Sequence, residues 1–174
     1  RLVFVGQGPM EAEIRSAATG DDRIHLLGPV PLDQIPTVMA SLDVLVLPSL
    51  TTKGWSEQYG RVITEAMASG LPVITSDSGA IPEVVGDAGI VVPERSTREL
   101  AAALARLQGD PTERERLRRA GSDAPAARES PANGSPSGGC GDQAEDAAAL
   151  ITGDGHRAAT IAEMFAGLVT AKSR

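Results

Sequence analysis

"DVLVLPSLTTKGWSEQYGRVITEAMASGLPVITSD", residues 43–77, decides the fold. It opens with four apolar residues in a row, Val44 to Leu47, as a strand buried on both faces of a parallel sheet requires. The polar stretch "SLTTKGWSEQ" follows and is long for a connection from strand to helix. Val62, Ile63, Ala66 and Met67 then recur at helical spacing. They predict a helix from about Gly60 to Ser69, stopped by Gly70 and Pro72. "PVITS" (72–76) is again strand-like. Strand, helix and strand in this order make a parallel βαβ unit with a right-handed crossover.

The pattern extends both ways. "RLVFV" (1–5) reads as a strand turned by "GQGP", with Pro9 in the first turn of a helix reaching about Ala18. "RIHLLG" (23–28) is a strand, and "PLDQIPTVMASL" (31–42) a helix interrupted near Pro36. Downstream come a short helix at Ile81–Val85, a strand "AGIVVP" (88–93), and a helix over 96–108. Ser96 and Glu99 give that last helix a capping box. A highly charged helix over 111–121 ends the run, its "ERERLRR" reading as a solvated face. The fold class is therefore α/β, a Rossmann-like parallel sheet with helices on both faces, over residues 1–121. Pro, Gly, Ser and Ala then dominate, so residues 122–156 are expected to be a linker or disordered loop. A stripe at Ile161, Met164, Phe165, Leu168 and Val169 predicts an amphipathic C-terminal helix over 157–174.

With 174 residues and 41% apolar composition the chain can bury a real core, but aromatics are only 2%, so aliphatic residues must fill it. A net charge of −7 lacks the basic footprint of a nucleic-acid binder. Any phosphate site must then rest on local groups. Cys140 is the single cysteine, so no disulfide forms within the chain, which fits the cytoplasm. No apolar run approaches the roughly 20 residues of a membrane span. The chain opens on Arg1 inside a strand, without an initiating methionine, and is expected to lack upstream sequence.

Glu57 and Glu65 lie eight positions apart, with Gly60 between them at the helix entrance. By spacing alone both are ordinary, one in a polar loop and one on the flank of the apolar stripe. Their context argues for more. The first N–H groups of a helix have no partner within it and carry partial positive charge, so they suit a phosphate. Carboxylates on either side suit paired sugar hydroxyls. At helical rise the two glutamates are about 12 Å apart, which asks for an elongated ligand. A nucleotide-sugar fits: sugar near Glu57, diphosphate over the entrance, ribose near Glu65.

These residues carry a resemblance. Residues 48–93, with glutamate, seven residues, glutamate, then "AMASGLPVI" and a Gly-x-x-Pro-Glu turn, resemble the donor-binding half of retaining glycosyltransferases with the GT-B fold, the glycosyl transferases group 1 family. "FVGQGP" and "IHLLGPV" resemble the family's earlier strands, and the likeness covers about residues 1–120. It implies the C-terminal half of a GT-B fold that takes a nucleoside-diphosphate sugar as donor, with no metal and no other cofactor. It implies that Glu57 contacts the donor sugar at the reacting end. Gln58, Tyr59, Gly60, Arg61 and Val62 would turn backbone N–H groups toward sugar and diphosphate. Glu65 would take the ribose hydroxyls, and Pro29 and Val30 would lie near the base. The family's Arg and Lys from a segment before the first strand, and its acceptor-binding N-terminal domain, are absent here. This predicts that the chain alone is inactive and that peripheral membrane association would come through the missing domain. A GT-B epimerase or phosphorylase, and a non-catalytic nucleotide-sugar-binding module, remain alternatives.

Other residues read more plainly. Lys53 and Arg61 lie near the proposed phosphate but suit surface charges, and Trp55 suits an exposed loop or a donor cover. His25 falls inside a strand, His156 in the low-complexity stretch, and Glu83 braces a turn. "VGQGPME" is no dinucleotide fingerprint, because Glu11 holds the third glycine position.

Overall fold

The computed structural model describes residues 1–8, 10–128 and, as backbone, 148–151. Pro9, Cys140, His156 and the helix expected over 157–174 lie outside the described residues. The strands are β1 (Leu2–Val5), β2 (Ile24–Gly28), β3 (Val44–Leu47), β4 (Val73–Ser76), β5 (Ile90–Val92) and β6 (Ala148–Ile151). The helices are α1 (Glu11–Ala18), α2 (Ile35–Ala40), α3 (Arg61–Ala68), α4 (Ile81–Val85), α5 (Thr97–Gly109), α6 (Pro111–Asp123) and α7 (Pro125–Arg128). The interruption expected near Pro36 is a 3₁₀ turn, Leu32–Gln34, with Pro36 in the first turn of α2, where its missing N–H costs nothing.

One sheet runs β2-β1-β6-β3-β4-β5. β1 is parallel to β2, and β3, β4 and β5 are mutually parallel in register. Alternation along the strands divides the core. Leu45, Leu47 and Val73 face one layer with Met39, Ile63, Met67, Ile81 and Ala127. Val44, Val46 and Ile74 face the other with Ile14, Leu100, Leu104 and Leu117. Helices therefore cover both faces, and the fold is Rossmann-like. Ile63 and Met67 have no exposed surface, and burying each contributes roughly 1.5–3 kcal/mol. Caps fix the later helices: Ser96 accepts from Glu99 N–H at 3.4 Å, and Asp110 from Glu113 N–H at 3.0 Å.

Two features depart from the expected linker at 122–156. α6 continues to Asp123, and α7 follows it. Ala124 is extended (ψ 138°), as a residue before proline prefers, and Pro125 then restarts a helix. Ala127 is only 1% exposed and packs in the core layer that holds Ile63 and Met67 of α3. The second departure is β6, which lies antiparallel between β1 and β3 and pairs with both. The sheet is thus parallel in two blocks joined by one antiparallel strand. β6 occupies the hydrogen-bonding edges that β1 and β3 would otherwise leave open.

Candidate functional site

In a sheet of this kind the chemistry collects at the carboxyl ends of the parallel strands. The loop from β3 to α3 lies there, and it is stitched down rather than free. Ser76, at the end of β4, donates its hydroxyl to the Ser49 carbonyl. Thr52 and Trp55 exchange backbone hydrogen bonds of 2.9 and 3.3 Å across a tight turn at Lys53 and Gly54. That turn leaves Trp55 and Lys53 exposed. Further on, Ala80 N–H donates to the Glu57 carbonyl at 2.9 Å. Gly79 makes this approach feasible: a Cβ there would stand 2.0 Å from the Glu57 carbonyl oxygen, and its φ of 56° already favours glycine.

Glu57 is thereby fixed just ahead of α3. Its Oε1 accepts from Gly60 N–H at 2.9 Å and Tyr59 N–H at 3.3 Å. Its Oε2 makes no hydrogen bond among the described residues. Gly60 caps α3 in the left-handed conformation, φ 66°, and is buried. A Cβ on it would lie 2.7 Å from Ile63 Cδ1. Ile63 N–H and Thr64 N–H donate to the Gly60 carbonyl, at 2.8 and 3.4 Å. Arg61 N–H and Val62 N–H find no acceptor among the described residues, as expected of a helix's first turn.

The N–H groups expected to line up on a diphosphate therefore divide. Those of Tyr59 and Gly60 are taken by the Glu57 carboxylate, and those of Arg61 and Val62 are unpaired. The reason is local. A carboxylate three residues before a helix entrance is itself the nearest anion for the positive end of the dipole. Gln58 turns back instead, its amide donating to Ser56 O at 3.1 Å and Ser56 Oγ at 3.2 Å, and it stays exposed with Tyr59.

Glu65 lies one turn inside α3. Helical side chains lean toward the N-terminus, which brings its carboxylate toward the entrance. Its closest cation is Arg61 Nη2 at 3.8 Å, beyond hydrogen-bonding distance, and its side chain is 17% exposed. Burial pushes its pKa above the ordinary 4.5, and Arg61 offsets only part of this. Glu65 is thus a carboxylate short of donors. Arg61 is half-exposed and faces Glu65, so the plain reading of it as a surface charge is incomplete.

Pro29 and Val30 follow β2 on the same edge of the sheet, three strands from β3. That is about 14 Å at normal strand spacing. Pro29 is exposed and Val30 half-buried. His25 is an exposed strand residue, lining a groove with Val3, Leu27, Val38 and Leu42 that includes neither glutamate. No group of three or more His, Cys, Asp or Glu side chains suited to a metal ion occurs among the described residues. Nor is any helix among them long and apolar enough to cross a membrane. Sequence reading missed Gly79 as the seat of Glu57, and also Glu94, which accepts Thr51 N–H at 2.9 Å and donates its own N–H to Asp77 at 2.7 Å, with Thr51 Oγ1 3.0 Å from Ser78 Oγ. The Gly-x-x-Pro-Glu turn was the available signal for Gly79; for Glu94 there was none, because its partners are 17 and 43 residues away.

The model of the family described as glycosyl transferases group 1 matches residues 1–110. This chain belongs to that family. Among its curated relatives is the amylovoran biosynthesis glycosyltransferase of Erwinia amylovora, 39% identical over 62% of this group 1 chain and 28% of the relative. A phosphatidyl-myo-inositol mannosyltransferase of Mycobacterium leprae is 37% identical over 71% of this chain and 33% of its own length. The matched part of the chain therefore spans a third or less of these curated relatives. Of solved structures, a sucrose-phosphate synthase from Thermosynechococcus elongatus superposes with a TM-score of 0.61 at 26% identity, over 74% of this chain and 33% of that one. Anabaena HepE in complex with UDP-glucose gives 0.55 at 22% identity, over 97% and 40%, and supports the fold. The group 1 resemblance drawn from residues 48–93 and the Rossmann-like fold are both confirmed.

Proposed function

We propose that this chain is the donor-binding half of a retaining glycosyltransferase and binds a nucleoside-diphosphate sugar across the entrance of α3. The observation that carries the reading is the unpaired state of Arg61 and Val62 N–H between two differently prepared carboxylates. Glu57 is oriented through Oε1, which leaves Oε2 to accept from a hydroxyl of the donor sugar. Glu65, desolvated and short of donors, accepts from the ribose hydroxyls, which restores what burial removed. The diphosphate meets Arg61 and Val62 N–H and the positive end of the helix. The Tyr59 and Gly60 amides act indirectly, by holding Glu57. The base lies toward Pro29 and Val30. A complex of a structurally similar protein with UDP-glucose supports the ligand class.

The chemistry follows from where charge develops. As the glycosidic bond breaks, negative charge grows on the leaving diphosphate, and fixed N–H dipoles aimed there stabilise the transition state more than the ground state. Glu57 orients the sugar, and its charge favours an oxocarbenium-like centre. We give it no covalent role. Retention then has the acceptor attack from the face that the diphosphate leaves, without a metal. The transferase names of the curated relatives favour this over epimerase, phosphorylase or a non-catalytic module. The acceptor site, turnover and any peripheral membrane contact belong to further chain, since these relatives are more than twice as long.

Calorimetric titration with UDP, GDP, UDP-glucose and GDP-mannose tests the reading. One nucleoside diphosphate and its sugar conjugate should bind, with no sugar transferred by this chain. Binding of none of the four, or turnover of any donor, contradicts it.

A further inference from the structure

Glu94 sits in the turn after β5 and reaches across the sheet edge to the loop that carries Glu57. Its Oε2 accepts Thr51 N–H at 2.9 Å, and its Oε1 accepts the Thr51 hydroxyl at 2.5 Å. With its one proton given to Glu94, Thr51 Oγ1 must accept from the buried Ser78 hydroxyl, 3.0 Å away. Glu94 is held in turn, its N–H donating to Asp77 Oδ1 at 2.7 Å. The turn itself closes through Ser96 N–H to Pro93 O, with Arg95 in the left-handed conformation at φ 62°. A non-glycine residue stays there only where its surroundings fix it. Three loops from the carboxyl edge, after β3, β4 and β5, thus meet at the Thr51 side chain. From Thr51 the chain passes through the Thr52–Trp55 turn directly to Glu57.

We propose that Glu94 is a positioning residue for the sugar end of the donor site, acting through Thr51 on the placement of Glu57; this rests on the donor-binding reading above. Only the sugar end depends on it, because Arg61, Val62 and Glu65 belong to α3, which Ile63 and Met67 anchor in the core. Losing Glu94 therefore loosens Glu57 and leaves the nucleotide end in place. Glutamine can restore the clamp. Its carbonyl accepts Thr51 N–H, its amide donates to Thr51 Oγ1, and the Thr51 hydroxyl turns its proton to Ser78.

The test compares Glu94→Ala, Glu94→Gln and Thr51→Val with the unaltered chain, by amide exchange at Tyr59 and Gly60 and by affinity for UDP and UDP-glucose. Glu94→Ala should speed exchange at both amides and weaken UDP-glucose, each about tenfold, with UDP changed less than about twofold. Thr51→Val should move in the same direction, and Glu94→Gln should return both readouts toward the unaltered chain. Unchanged exchange at Tyr59 and Gly60, or UDP and UDP-glucose weakened equally, overturns the proposal. If the unaltered chain binds neither nucleotide, the donor-binding reading fails, and the exchange comparison alone decides whether Glu94 holds the loop.

Discussion

At the scale of residues, the two glutamates differ in a way that spacing does not express. Glu57 already has donors on one oxygen, whereas Glu65 is half-buried with a guanidinium out of hydrogen-bond reach. Burial raises the Glu65 pKa in the fold, so its ionised form opposes folding above that raised value, and stability is regained as pH falls through it. Glu65→Gln should therefore leave thermal stability at neutral pH unchanged or slightly higher. It should weaken UDP by about 10- to 100-fold, the worth of hydrogen bonds to a charged acceptor. UDP affinity of the unaltered chain should also fall as pH drops through the raised value, a fall that the variant lacks. Calorimetry of both proteins from pH 7 to pH 4 checks each point. Glu113 behaves oppositely: the Arg116 hydrogen bond, with Arg106, holds its carboxyl below 4.5. Its contribution to stability is complete at neutral pH and is lost only as pH falls below that ordinary value.

At the scale of elements, α3 shows what local pattern can and cannot reveal. Its apolar face, its glycine entrance and its stop at Gly70 were legible, because each rests on residues within a turn or two. The same is true of the Ser96 cap and of the Pro36 break. What holds the β3–α3 loop was not legible, since Ser76, Gly79, Ala80 and Glu94 reach it only after the sheet has formed. The division of amides at the α3 entrance was hidden too, because it depends on the rotamer of Glu57. Gly79 permits a controlled test. Gly79 and Gly20 both have positive φ, but a Cβ at Gly20 meets nothing within 4 Å, while at Gly79 it meets the Glu57 backbone. Gly20→Ala should cost roughly 1–2 kcal/mol from conformation alone. Gly79→Ala should cost roughly 2–4 kcal/mol, because the backbone of the β3–α3 loop must also move. Chemical denaturation of the two variants measures the difference, and equal losses would remove Gly79 as the seat of Glu57.

At the scale of the whole molecule, five strands and six helices follow from alternating apolar runs and helical stripes, and two opposed core layers follow from them. α7 and β6 escaped notice. A four-residue helix with a methyl group as its deeply buried side chain among the described residues, and a four-residue strand in an alanine-rich stretch, leave too little pattern to read. Membership in the glycosyl transferases group 1 family fits this architecture, with Glu57 and Glu65 at the carboxyl edge of the sheet. In the proposed function, an anion bound at this edge sits on the two unpaired amides of α3. Chemical-shift mapping of the isotope-labelled chain during titration with UDP tests it most directly. The largest amide shifts should fall at Arg61 and Val62, with smaller ones toward Val30. Shifts that bypass α3 and gather in the groove around His25 and Leu27 would contradict it.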